Sequence, residues 1–220
     1  MVMSFILSSI GKKVAMSLSA FFLISFLLLH VAINFLSVVS ERMYNEASHF
    51  MGTNPIIQFV MQPILILGVL FHFTLGFVLE FQNKSARPVK YEMKNNQLNS
   101  SWLSRNMIYS GLVILAFLGL HFYDFWIPEI QYKYIEFQDP NRHRYFAELT
   151  HKFEDPTRVG FYTVSFILLM MHLLHGFQSA FQSLGVNNKF APGIKKTAWA
   201  FSVAIPLTFV FIALFHHLKH

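Results

Sequence analysis

The sequence predicts an all-α membrane protein of five transmembrane helices. Three observations carry that prediction: five apolar stretches of spanning length, a composition poor in charge, and an uneven placement of Lys and Arg. Across 220 residues, 54% are hydrophobic, 17% aromatic and only 13% charged, with 26 Phe. A globular chain carries about twice that share of charge, and one this short could not bury so much apolar surface. The stretches run from about Val14 to Val39, Ile56 to Phe81, Leu103 to Ile127, Val159 to Leu184 and Thr197 to Leu218. Each is long enough to cross about 30 Å of hydrocarbon at about 1.5 Å per residue. Backbone groups in lipid must be satisfied within the segment, so each is read as a helix.

The basic residues set the orientation. Lys12, Lys13, Lys84, Arg87, Lys90, Lys94, Arg105, Lys189, Lys195 and Lys196 fall on one side, against only Glu80 and Glu92. The other side holds seven basic and nine acidic residues. The N-terminus is therefore expected inside and the C-terminus outside. The first apolar run is too long for a signal-peptide core and lacks a small-residue cleavage site, so it is expected to stay as a helix.

The connections are too short for a separate soluble domain, so residues 1–220 read as one integral membrane unit. The 40–55 link reads as short and external, and the 83–101 link as internal and basic. The 128–157 link reads as long and external, with room for a short surface helix around Arg144–Lys152. No nucleotide loop and no nucleic-acid site is evident. The absence of cysteine excludes disulfides, thiolate-held iron–sulfur clusters, c-type haem and thiol catalysis.

Histidine carries the chemistry. The chain has eleven, and five lie inside apolar stretches: His30, His72, His121, His172 and His175. An ionisable side chain at membrane depth is costly and is by default functional. Counting from the outer helix ends, His30 lies eleven residues from Glu41 and His121 eight from Glu129. His72 lies eighteen from Asn54, and His172 fourteen from Arg158. These separations are roughly 16 and 12 Å for one pair and roughly 27 and 21 Å for the other. With four helices arranged in sequence order, the first faces the third and the second faces the fourth. Two stacked sites with paired histidines result, the arrangement that holds two b-type haems in a bundle of the first four helices. A single-ion transport site would instead gather its ligands at one depth, usually with carboxylates.

An internal repeat supports the pairing. Residues 72–82 and 172–182 both fit H-x3-G-F-x3-F-Q, and an L-x-L-H echo joins Leu27–His30 to Leu118–His121. Gly76 and Gly176 lie one turn after their histidines and open that face to a flat ring. His175 sits three residues from His172, so both could face the bundle. The repeat register selects His172, with His175 as the alternative ligand or a partner of a propionate. His216, His217 and His220 read as a solvated tail, and His49, His143 and His151 as loop residues.

Asp124 and Asn34 lie one turn outward of His121 and His30, and Gln62 lies at similar outer depth. Together they are candidates for the polar groups of a quinone site. Asp124 also reads as an interfacial carboxylate in water, and Glu80 as the partner of Lys84 in a helix ion pair. Arg105, at the start of the third helix, is placed to neutralise propionates or to snorkel to headgroups.

With these features in hand, the chain resembles the dihaem cytochrome b membrane anchor of succinate:quinone oxidoreductases, the succinate dehydrogenases and fumarate reductases with a single-chain anchor. Three stretches carry the resemblance: Leu29-His30 with Asn34, Gly111 ten residues before His121, and the run from His172 through Gly176 to Gly185. The 128–157 link and His175 depart from the family pattern. The resemblance implies an outer haem b on His30 and His121 and an inner haem b on His72 and His172. It also implies an iron–sulfur subunit on the basic face, a flavoprotein subunit upon it, a membrane quinone as bound substrate, and a bacterial inner membrane location in the respiratory chain. The succinate chemistry of the tricarboxylic acid cycle would belong to the flavoprotein. The alternatives are a dihaem cytochrome b of another respiratory dehydrogenase or reductase, and a haem-free transporter.

Overall fold

The computed structural model describes residues 8–85, 107–186 and 191–219. Among these residues seven helices follow one another: α1 (Ser9–Val39), α2 (Glu41–Thr53), α3 (Ile57–Ser85), α4 (Met107–Ile135), α5 (Arg144–Glu154), α6 (Pro156–Ser183) and α7 (Ala191–Lys219). Five of them, α1, α3, α4, α6 and α7, are long and apolar enough to cross a membrane, and no strand occurs among the described residues. The protein is thus a multi-pass, all-α membrane protein.

Side-chain caps place the breaks. Ser8 caps α1 by accepting from Gly11 N at 3.0 Å. Ser40 ends α1 and starts α2 in one extended residue: its N–H donates to Leu36 O at 2.8 Å, and its hydroxyl accepts from Met43 N at 3.4 Å. Asn54 accepts from Ile56 N and Ile57 N at the head of α3, and Asp155 accepts from Thr157 N ahead of Pro156 in α6. Each cap satisfies a donor that a helix start would otherwise leave open. At the far end of α6, Gly185 takes a positive φ of 80° so that Val186 N can reach Phe181 O. That left-handed position is cheap only for glycine.

Two connections differ from expectation. The 40–55 link is a helix, α2, because its polar sequence still presents Tyr44 and Asn45 to the bundle. The third spanning helix continues to Ile135 instead of stopping near Ile127. Pro128 reads as a terminator because it lacks an N–H and crowds the carbonyl one turn back. Here a π turn over Phe122–Trp126 precedes it, closed by Ile127 N on Phe122 O, and Pro128 falls in the first turn of the next α segment. The expected surface helix is present as α5.

The spanning helices α1, α3, α4 and α6 lie in sequence order around the bundle, so α1 faces α4 and α3 faces α6 across the axis. Helix α7 packs into the angle between α6 and α1. Helices α2 and α5 cross the end that the charge pattern assigns to the exterior, and Asn45 of α2 accepts from Phe146 N, an otherwise open donor in the first turn of α5. Toward this end Val31, Tyr44, Phe153, Tyr162, Phe209 and Ala213 share one buried cluster. Helix α3 is the contrast: it lies along α1, touches α4 lightly, and has no buried residue.

Candidate metal centre

Imidazoles meet across the bundle in two pairs. The rings of His30 on α1 and His121 on α4 stand 5.7 Å apart at 86°, and those of His72 on α3 and His172 on α6 stand 6.5 Å apart at 66°. An imidazole nitrogen sits about 2 Å from a transition metal it ligates, which places the centres of two opposed rings about 6 Å apart. Both separations fit one ion between each pair. Among the described residues no group of three or more His, Asp or Glu gathers for a metal, and each pair offers two imidazoles. Such a set suits haem iron, whose other four positions the macrocycle fills.

The two pairs have different surroundings. His30 and His121 lie among aromatic rings: Phe26 and Phe209 against His30, Phe117 and Phe125 against His121. His121 Nδ1 has no hydrogen-bond partner among the described residues. His72 and His172 are each braced by a hydroxyl. Ser19 Oγ lies 3.0 Å from His72 Nδ1, and Ser110 Oγ lies 3.1 Å from His172 Nδ1. His30 follows Ser19 by eleven residues and His121 follows Ser110 by eleven, so the two pairs are separated by about 16 Å along the bundle.

Neither serine stands out in the sequence, yet a signal existed. Residues 16–30 and 107–121 both fit M-x2-S-x7-L-x-L-H, which extends the L-x-L-H echo back by eleven residues. Helices α1 and α4 therefore repeat each other as α3 and α6 do. The methionines matter as well. A side chain on Gly76 would meet the Met16 methyl at 3.5 Å, and one on Gly176 would meet the Met107 methyl at 3.0 Å. The glycine faces are covered by the tips of flexible, unbranched chains rather than by backbone, a cover that can move aside for a flat ring. Gly111 approaches His172 itself, with its would-be Cβ 3.8 Å from Cε1.

His175 is half-buried on α6 and makes no ring contact with His72, in contrast to His172. His216 departs from the solvated-tail reading. It is 1% exposed, its Nε2 lies 2.8 Å from Ser37 Oγ, and Phe146 of α5 packs on its ring. The cause is α5, which folds over the end of α7. His217 likewise reaches Phe153 O at 2.9 Å.

Asp124 also departs from the interfacial reading. Its carboxylate is fully buried, accepts from the Tyr162 hydroxyl at 2.9 Å, and pairs with Arg158 Nε at 3.1 Å. Its Oδ1 has no partner among the described residues, and the Tyr162 ring lies 6.3 Å from that of His121. Asn34 turns back on its own helix and donates to His30 O at 2.8 Å. Gln62 is partly buried near the start of α3, and no hydrogen bond joins it to Asp124 or Asn34. Its neighbour Gln58 instead accepts from Tyr134 at 2.5 Å. Glu80 and Lys84 form the expected exposed helix pair at 3.0 Å. Arg105 lies outside the described residues.

The cap end carries its own charge cluster. Arg144 binds Glu129 and, at 2.7 Å, Glu148, and lies over the rings of Tyr132 and Tyr145. Burial alone would lower its pKa, but the two carboxylates outweigh that and hold the guanidinium above its ordinary value. Burial, with Glu129 nearby, pushes the Tyr145 phenol up to about 12.

Compared with models of protein families, with curated proteins and with solved structures, the chain matches none.

Proposed function

We propose that this chain is a dihaem cytochrome b: the membrane anchor of a succinate:quinone oxidoreductase in a bacterial inner membrane. The observation that carries the reading is the meeting of four intramembrane histidines as two cross-bundle pairs, about 16 Å apart along the helices. A bis-imidazole haem iron has no open position and supplies one-electron transfer. The protein's part is to hold two such groups in line. His30 and His121 would ligate one, His72 and His172 the other. The Met16 and Met107 tips and the aromatic rings around His30 would border the macrocycles and exclude water.

The succinate-linked role, with iron–sulfur and flavoprotein subunits, rests on the family resemblance. The quinone assignment has one local support. Asp124 is a buried carboxylate with one oxygen unpartnered among the described residues, one helix turn from His121 and beside a tyrosine and an arginine. Such a group can take up the proton that accompanies an electron.

The test is haem and flavin stoichiometry of the purified complex. A pyridine haemochrome assay should return two b haems per chain, and flavin should co-purify. A ratio of zero defeats the haem reading, and a ratio of one defeats the paired-site arrangement. Two haems without flavin would place the chain in another respiratory complex.

A further inference from the structure

The serines that brace one histidine pair have a defined hydrogen-bond polarity. A serine hydroxyl carries one proton. Ser19 Oγ lies 2.8 Å from Met16 O, and Ser110 Oγ lies 2.9 Å from Met107 O. Two oxygens at that distance need a proton between them, and the carbonyl has none to give. Each hydroxyl proton is therefore committed to the carbonyl three residues back, the ordinary back-bond of a helical serine. What remains on Oγ toward the imidazole is a lone pair. The bonds of 3.0 Å to His72 Nδ1 and 3.1 Å to His172 Nδ1 must then be donated by the rings. A neutral imidazole that donates from Nδ1 carries its free lone pair on Nε2.

We infer that Ser19 and Ser110 are positioning residues that fix His72 and His172 as Nε2 ligands and raise the basicity of both, so that the iron they hold is the harder to reduce of the two. This rests on the dihaem reading. Its second ground is asymmetry: the 30/121 pair is surrounded by rings and His121 Nδ1 has no hydrogen-bond partner among the described residues. Its third is recurrence, because the brace appears twice, on helices that repeat each other's Met-x2-Ser spacing. An acceptor on the far nitrogen of a ligating histidine fixes its tautomer and ring angle and increases electron donation to the metal. Second-shell hydrogen bonding is one of the levers that sets haem potential.

The experiment is redox titration with EPR on the purified complex carrying Ser19→Ala, Ser110→Ala, both together, or Ser→Thr at each position. Threonine keeps a hydroxyl that can make the same back-bond. In the alanine variants one haem should rise in midpoint potential and change its EPR g-values while the other stays unmoved. The double variant should lose affinity for that haem by about ten- to hundredfold. The threonine variants should restore the parent potential. The unmoved second haem reports that the bundle is folded. A parent complex without haem overturns the dihaem reading and this assignment together. A parent with two haems whose alanine variants keep both potentials overturns this assignment alone. So does loss of both haems in the alanine and threonine variants alike, since it would assign the serines to helix packing.

Discussion

An imidazole presents one lone pair when neutral, and ring position decides which helix neighbour it can serve. His172 and His175 share a helix and differ by three residues, yet only His172 meets His72. On the proposed dihaem function, His172→Ala should therefore remove one haem, with His175→Ala leaving both bound; absorbance at the b-haem bands against protein mass checks this. Loss of haem in the His175 variant alone would reverse the register. The four paired histidines were legible in the sequence because a titratable side chain in an apolar run is conspicuous. The serine braces of His72 and His172 were not conspicuous, since serine satisfies itself against its own helix and needs no tertiary partner. The environment of Asp124 was hidden for a different reason. Arg158 and Tyr162 reach it from α6, more than thirty residues later, and no local spacing encodes that contact. His216 was misread from its place near the chain end, where burial depends on α5 crossing above it.

At the scale of elements, apolar length identified the spanning helices, and the length of the 128–157 link left room for α5. Helix α2 escaped because it is short and polar, and α4 runs past its expected end near Ile127 through a π turn that accommodates Pro128. That extension has a consequence. It carries Glu129 and Lys133 beyond the expected end of the helix, into reach of Arg144 and Gly52. One guanidinium thereby joins α4 to α5, with two carboxylates and two tyrosine faces engaged. Arg144→Met keeps the stem but removes the charged hydrogen bonds to Glu129 and Glu148, leaving Glu129 with Lys133 alone in a partly buried site, at an expected cost of about 2 kcal/mol. Arg144→Lys should recover little, because an ammonium cannot make the forked contact or stack on Tyr132. Thermal unfolding in detergent, followed by the haem bands, measures both. A methionine variant that melts with the parent would show the cluster to be a surface feature without energetic weight.

Across the whole molecule, packing is graded. Helices α6 and α7 bury residues along much of their length, and α7 closes the bundle against α1. Helix α3 buries none, and its link across the axis is the meeting of His72 with His172. Local stability follows such differences: a segment with few buried apolar contacts opens at lower free energy than the global transition. A group that bridges α3 to α6 through iron would bind the closed bundle and not the opened one, and would stabilise that closure by mass action. Haem depletion should therefore act unevenly. Amide exchange in the haem-depleted protein is expected to rise most in α3, around His72, while α6 below Tyr162 and α7 around Phe209 stay protected. Adding haem back should restore α3 first. Exchange that rises equally in all five spanning helices would mean that no single helix depends on the cross-bundle ligands, and that packing along α1 is enough to hold α3 in place.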